Sequence, residues 1–173
     1  MSERFEKGTY VVYGKVGACL VAERQTMSFG AGEEGEYYVL NPVGDSRSSV
    51  YVPCDNPTLV GRMRPLMTRE EIDRLLAGIT DSSMVWPEDK NERATAFRTV
   101  VASGDRSRLL QLIRCLYQKK QEKTDTGRRL STMDEMFLQE AMRLVEEEFA
   151  VALNLPRRQV PEYIRRRVEG KEK

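Results

Sequence analysis

Histidine is missing from this 173-residue chain. Its absence removes the side chain that most often serves as general acid or base near neutral pH, and with it the commonest metal ligand. Cysteine is scarce as well. Cys19, Cys54 and Cys115 are far apart and odd in number, so neither a paired-cysteine metal site nor a closed disulfide set is written here. Reduced, partly buried thiols are expected. No GxxxxGK(S/T) phosphate loop and no GxSxG nucleophile elbow occurs. Together these absences predict a protein that is not an enzyme, with no catalytic residue, no metal site and no cofactor. No apolar run approaches the roughly 18 residues of a membrane helix. The first twenty residues carry Glu3, Glu6 and Lys7 where a signal peptide would be apolar. The expectation is a cytoplasmic chain with no membrane partner.

What is present is a change of pattern. Residues 10–13 are β-branched and aromatic between Gly8 and Gly14, which predicts a strand. Residues 17–27 predict a second strand, bent at Gly17, and the glycine-rich polar stretch 30–35 a hairpin loop. Residues 36–40 alternate Tyr37 and Val39 against Tyr38 and Leu40. A turn over 42–48 and a short strand over 49–53 complete the set. Four or five short strands with glycine corners are too few for a sandwich and fit an SH3-like or Tudor-like small β-barrel.

The change falls between Asn56 and Thr68. Thr68-x-x-Glu71 is a capping-box signature ahead of Ile72, Leu75, Leu76 and Ile79 at helical spacing. Gly78 and the polar residues 80–83 are expected to close that helix. Pro87 fits the first position of a second helix, with Glu88 and Asp89 at its positive end, running to about residue 102. Residues 103–105 break it. Leu109, Leu112, Ile113 and Leu116 mark a third helix, followed by a long basic connection over 119–129. Ser131-x-x-Asp134 opens a fourth, striped by Met133, Phe137, Ala141, Leu144, Val145 and Phe149, which Asn154-Leu155-Pro156 stops. Pro161 opens a last helix carrying Ile164 and Val168. The fold class is α+β: a barrel over 1–67, then an all-α domain of about five helices over 68–173.

The formal net charge of +1 hides a polarised helical half. Residues 86–131 hold eleven Lys/Arg against six Asp/Glu, whereas 132–155 hold one against six. A basic block suits phosphate contacts, and the acidic block suits a solvated helix face. Trp86, the lone tryptophan, has two readings. It is an anchor of the helical core, or it stands at the mouth of a helix N-terminus where the helix end and Lys90, Arg93 and Arg98 take phosphate while the ring meets bases. The second reading needs the indole held out in water. Arg106, Arg108, Lys119, Lys120, Lys123, Arg128 and Arg129 would add to that basic side. In the barrel, Gln25-Thr26-Met27-Ser28 is the candidate free edge for strand addition by a partner sheet.

Phe5-x-x-Gly8-x-x-Val11-x-Tyr13, then Val16-Gly17, Tyr37-Tyr38-Val39-Leu40 and Val50-Tyr51-Val52-Pro53, resemble the CarD/CdnL family of bacterial transcription regulators. Trp86 and the break at Ala102-Ser103-Gly104-Asp105 extend the resemblance to about residue 150. It implies a Tudor-like domain that binds the β subunit of RNA polymerase, and a helical domain that contacts promoter DNA. The tryptophan would contact the minor groove at the upstream edge of the −10 region and stabilise the open complex. The same polymerase-binding module occurs in the transcription-repair coupling factor, whose ATPase motor has no counterpart motif here. Two positions depart from the family pattern. Pro87-Glu88-Asp89 stand where arginines are expected, so the cations begin at Lys90. Tyr51 stands where an arginine is expected on the last barrel strand, leaving Arg24 or Arg47 to substitute. The polymerase-binding candidates are thus Arg24, Gln25, Thr26, Met27, Arg47 and Tyr51, and the DNA-binding candidates Trp86, Lys90, Arg93 and Arg98. The expected protein is a monomer associated with the nucleoid that binds promoter DNA weakly and with little sequence preference. The alternative is a protein–protein adaptor that uses the barrel edge and never touches DNA.

Overall fold

Gly14 and Gly17 divide the first apolar run into two strands. The structure is a computed structural model that describes residues 5–79 and 84–169. In it β1 (Tyr10–Tyr13) turns through Gly14–Val16 into β2 (Gly17–Ser28). Both glycines have positive φ, 48° and 98°, a backbone that side chains bearing a Cβ rarely adopt. β3 (Glu34–Pro42) and β4 (Val50–Pro53) follow as antiparallel neighbours. Asn56 then caps a one-turn helix, α1 (Pro57–Val60), and β5 (Met63–Pro65) returns to pair with β1. The sheet order is β4-β3-β2-β1-β5.

A register slip between Val21 and Glu23 decides which side chains of β2 face inward. Val21 lies opposite Leu40, and beyond the bulge Arg24, not Glu23, lies opposite Tyr38. The inner face collects Val11, Cys19, Val21, Tyr38, Leu40 and Val52, closed by Phe5, Val60 and Met63.

The helical half starts at α2 (Arg69–Gly78), where Thr68 and Glu71 form the expected capping box. α3 (Lys90–Ser103), α4 (Arg106–Asp125), α5 (Thr132–Leu153) and α6 (Val160–Val168) follow. Asp89, Asp105 and Ser131 each accept the backbone N–H three residues on, so each of these three long helices starts at a side-chain cap. Gly104 and Asn154 end α3 and α5 in left-handed backbone, φ 66° and 54°. Residues 80–83, expected to close the first helix, lie outside the described residues.

Two helix boundaries differ from expectation. α3 begins at Lys90 rather than at Pro87, because Asp89, itself in extended backbone, supplies a capping oxygen to the Glu92 N–H and the residues before it belong to no helix. The basic connection expected over 119–129 is helical to Asp125. Its exposed turns are supported by Lys119–Glu122 at 3.4 Å and Gln121–Asp125 at 2.9 Å.

Phe97 and Phe149 are fully buried with Ile72, Leu76, Leu112, Leu116 and Leu138 in one helical core. The acidic block of α5 does not form a solvated face. Asp134, Glu147 and Glu148 are buried and bound to Arg93, Arg143 and Arg106 at 3.0, 2.9 and 2.9 Å. Burial pushes the Glu148 carboxyl up, against the opposing pull of Arg106 and the Met67 N–H. Contacts divide the chain into two compact units, Met1–Leu66 and Met67–Lys173. Among the described residues no helix is long and apolar enough to cross a membrane. Phe149→Ala should remove about 3–5 kcal/mol from the stability of the helical unit. Urea unfolding followed by far-UV circular dichroism measures the loss.

Candidate nucleic-acid interface

Trp86 lies in the short extended entry to α3, where Pro87 fixes its own φ and biases the residue before it away from helix. Val85 points outward, 84% exposed, while Trp86 is half-buried. One flank of the indole therefore turns onto the helical core and meets Phe97 edge-on, with centroids 5.7 Å apart. Phe97 in turn meets Phe137 at 5.8 Å. The guanidinium carbon of Arg93 is 4.6 Å from the indole centroid, and Lys119 Nζ is 5.2 Å from it. The expectation of a ring standing in water is corrected. The indole is wedged between core and cations, and only part of it is accessible.

Arg93 requires the second correction. It does not stand with Lys90 and Arg98 in a row facing phosphate. It is 7% exposed and lies on the buried stripe of α3 with Phe97, Val100 and Val101, at spacings of four, seven and eight. Its Nε and Nη2 donate to the two carboxylate oxygens of Asp134 at 3.0 and 3.1 Å. Nη1 donates to the carbonyls of Pro87 and Glu88 at 3.2 and 3.4 Å. A cation so committed is not free for DNA.

Lys90 and Arg98 are exposed, about 12 Å apart along the α3 axis. Neither makes an ion pair among the described residues. Of the other cations of the basic block, Arg108, Arg128 and Arg129 are exposed, and three are engaged, Lys119 with Glu122 among them. Arg106 is held by Glu148, and Lys120 by Glu135 at 3.2 Å. The accessible positive charge near Trp86 is thus sparser than the sequence suggested: Lys90 and Arg98 on the outer flank of α3, and the partly exposed Lys119 of α4.

In the sheet unit, β1 meets β2 over residues 17–20, and backbone bonds from Gly8 and to Thr9 reach only as far as Val21. Residues 23–28 pair with β3 on one side, and no described strand pairs with them on the other. Gln25 and Thr26 are exposed and Met27 is half-buried. Arg24 is on the inner face, bound to Glu36 at 2.7 Å and 5.5 Å from the Tyr38 centroid. The neighbouring Cys54 thiol is pushed up by burial, with Arg24 opposing. Arg47 is exposed in the β3–β4 turn, its N–H donating to Asp45. Tyr51 projects from the outer face, where Phe29 lies 5.5 Å from it and 5.1 Å from Tyr37. Arg24 and Tyr51 therefore do not form one cluster. The trio of Phe29, Tyr37 and Tyr51 was not foreseen. Phe29, 53% exposed, lies just before the glycine loop and outside any alternating stretch.

Residues 5–67 match the family model of the CarD-like/TRCF RID domain, and residues 74–165 match that of the CarD C-terminal domain. The chain belongs to the CarD family. CarD-like domains mark RNA polymerase-interacting transcription factors, and the family's members are regulators rather than enzymes. The first CarD match covers the sheet, a Tudor-like module; the second spans most of the helical unit and includes Trp86. In this CarD-family chain the Asp89 cap and the Arg93 bonds to the Pro87 and Glu88 carbonyls together hold the entry to α3. Asp89→Ala should cost about 0.5–2 kcal/mol and loosen the turn beside Trp86. Hydrogen exchange of the Glu92 amide, which Asp89 holds at 3.0 Å, reads this directly.

Proposed function

We propose that this chain bridges RNA polymerase and promoter DNA. Residues 1–67 dock on the polymerase β subunit by adding a partner strand to the open edge at Gln25, Thr26 and Met27, with Arg47 and Tyr51 at the margins of the contact. Residues 68–173 then contact the duplex at the junction with melted DNA. Docking raises the local concentration of the helical domain at the promoter, so weak DNA affinity suffices. The protein works as a monomer in the cytoplasm, on the nucleoid.

One observation carries the DNA half of this reading. A partly accessible indole sits at the N-terminal end of a capped helix whose outer flank bears Lys90 and Arg98. The exposed ring edge meets bases at the distorted duplex, and the two cations take phosphates. Pro87, Glu88 and Asp89 put no cation directly after the ring in sequence; the cations against it are Arg93, which Asp134 holds, and Lys119, which pairs with Glu122. A ligand shifts the closed-to-open equilibrium only by its differential affinity for the two forms. For a single ring and two cations that is on the order of 1–3 kcal/mol, or roughly 5–150-fold.

Trp86→Ala should therefore shorten open-complex lifetime about fivefold or more while polymerase binding is retained. Competitor-challenge dissociation assays supply the lifetime. Binding to a fork-junction duplex with polymerase present should fall with salt, at a slope of about −2 if Lys90 and Arg98 each neutralise one phosphate. Thr26→Lys, a charge on the open edge, should weaken capture of the isolated β subunit.

The aromatic trio of Phe29, Tyr37 and Tyr51 beside that edge favours a second reading, an adaptor whose helices never touch DNA. Salt-independent behaviour on the fork junction, with an unchanged lifetime in Trp86→Ala, would select the adaptor.

A further inference from the structure

We propose that Asp134 is a positioning residue for Trp86 and that it acts through Arg93. The segment Trp86-Pro87-Glu88 belongs to no helix or strand, so something else must fix its path. Arg93 does this with one planar fork. Two of its nitrogens are taken by Asp134, a third by the carbonyls of the two residues that follow Trp86, and its carbon lies 4.6 Å from the indole centroid. The guanidinium orientation is set in turn by Asp134, which is fully buried. That carboxylate is itself fixed near the N-terminus of α5. Its Oδ2 accepts from Ser131 Oγ at 2.8 Å, and its N–H donates to the same oxygen at 3.1 Å. The chain of contacts runs from the cap of α5 to the indole without a gap.

A purely structural ion pair does not account for this arrangement. Apolar residues of similar shape often replace a buried pair with no loss of stability. They could not hold two carbonyls and flank an aromatic ring at once. Lysine could not either, since it lacks the planar fork. What the pair supplies is a fixed pose for the segment that carries the ring. The DNA consequence of this inference rests on the function proposed above; the clamp itself does not.

Trp86 is the sole tryptophan, so the emission of the intact protein reports on this ring alone. The variants are Asp134→Asn, Arg93→Lys and the double substitution Arg93→Met with Asp134→Leu. The double variant removes both charges together, leaves none buried alone, and decides the matter if a single variant fails to fold. With folding verified by far-UV circular dichroism, each folded variant should show red-shifted emission and steeper acrylamide quenching. Open-complex lifetime should fall toward that of Trp86→Ala and not beyond it, about threefold if the held pose drops to about a third of the population. Unchanged emission and quenching in the folded double variant overturns the clamp. Altered emission with an unaltered lifetime, where Trp86→Ala does shorten it, overturns the positioning role. If Trp86→Ala itself leaves the lifetime unchanged, the DNA reading falls and the fluorescence alone decides the clamp.

Discussion

The ion pair between Arg93 and Asp134 joins α3 to α5 and settles most of what surrounds it. Two charges taken out of water must satisfy each other and their remaining hydrogen-bonding capacity. Here both carboxylate oxygens and four donor contacts of the guanidinium are accounted for within one shell. Because the pair is internal, α3 must turn its 93–97–100 stripe inward. Lys90 and Arg98 are left on the outside, and the entry segment lies across the top of the guanidinium. The orientation of the indole follows from that packing rather than from any property of tryptophan.

The same logic governs the charge distribution. Along the sequence, a basic block precedes an acidic one. In space, α5 supplies carboxylates to α3 and α4 through Asp134 and Glu148, and to its own Arg143 through Glu147. Much of the apparent polarity is spent inside the fold. A segment's net charge therefore overstates the field it offers to DNA, and the accessible cations, not the block total, are the relevant quantity.

Local signals in the sequence were readable where the physics is local. The Thr68–Glu71 capping box, the Ser131 cap, the Gly104 corner and the stripes of α4 and α5 all depend on residues within a turn or two of one another. The strands of the sheet were found for the same reason, with the exception of β5. Three residues long, β5 exists only through pairing with β1 some fifty positions earlier, and no alternation could reveal it. Asp134 shows the opposite difficulty. As the third residue after Ser131 it was seen as part of a helix start, which it is, and that hid its second partner 41 residues away. Arg93 was assigned outward because arginine usually is, although its spacing to Phe97, Val100 and Val101 already placed it on the apolar stripe. Membership of the CarD family was written in the order of soft motifs. The aromatic trio on the outer face needed the fold, since Phe29, Tyr37 and Tyr51 come from three separate segments.

Gly104 gives the helical unit a mechanical property. It is the single left-handed residue between α3 and the cap of α4, and α3 beyond it is a rod of 14 residues. At 1.5 Å per residue that rod is about 21 Å long, so a tilt of about 10° at the corner sweeps its far end through nearly 4 Å. The ring rides on that far end. Val100 and Val101, buried beside that corner, and Arg93, bound to Asp134 near the tip, fasten the rod at both ends and keep such a swing small.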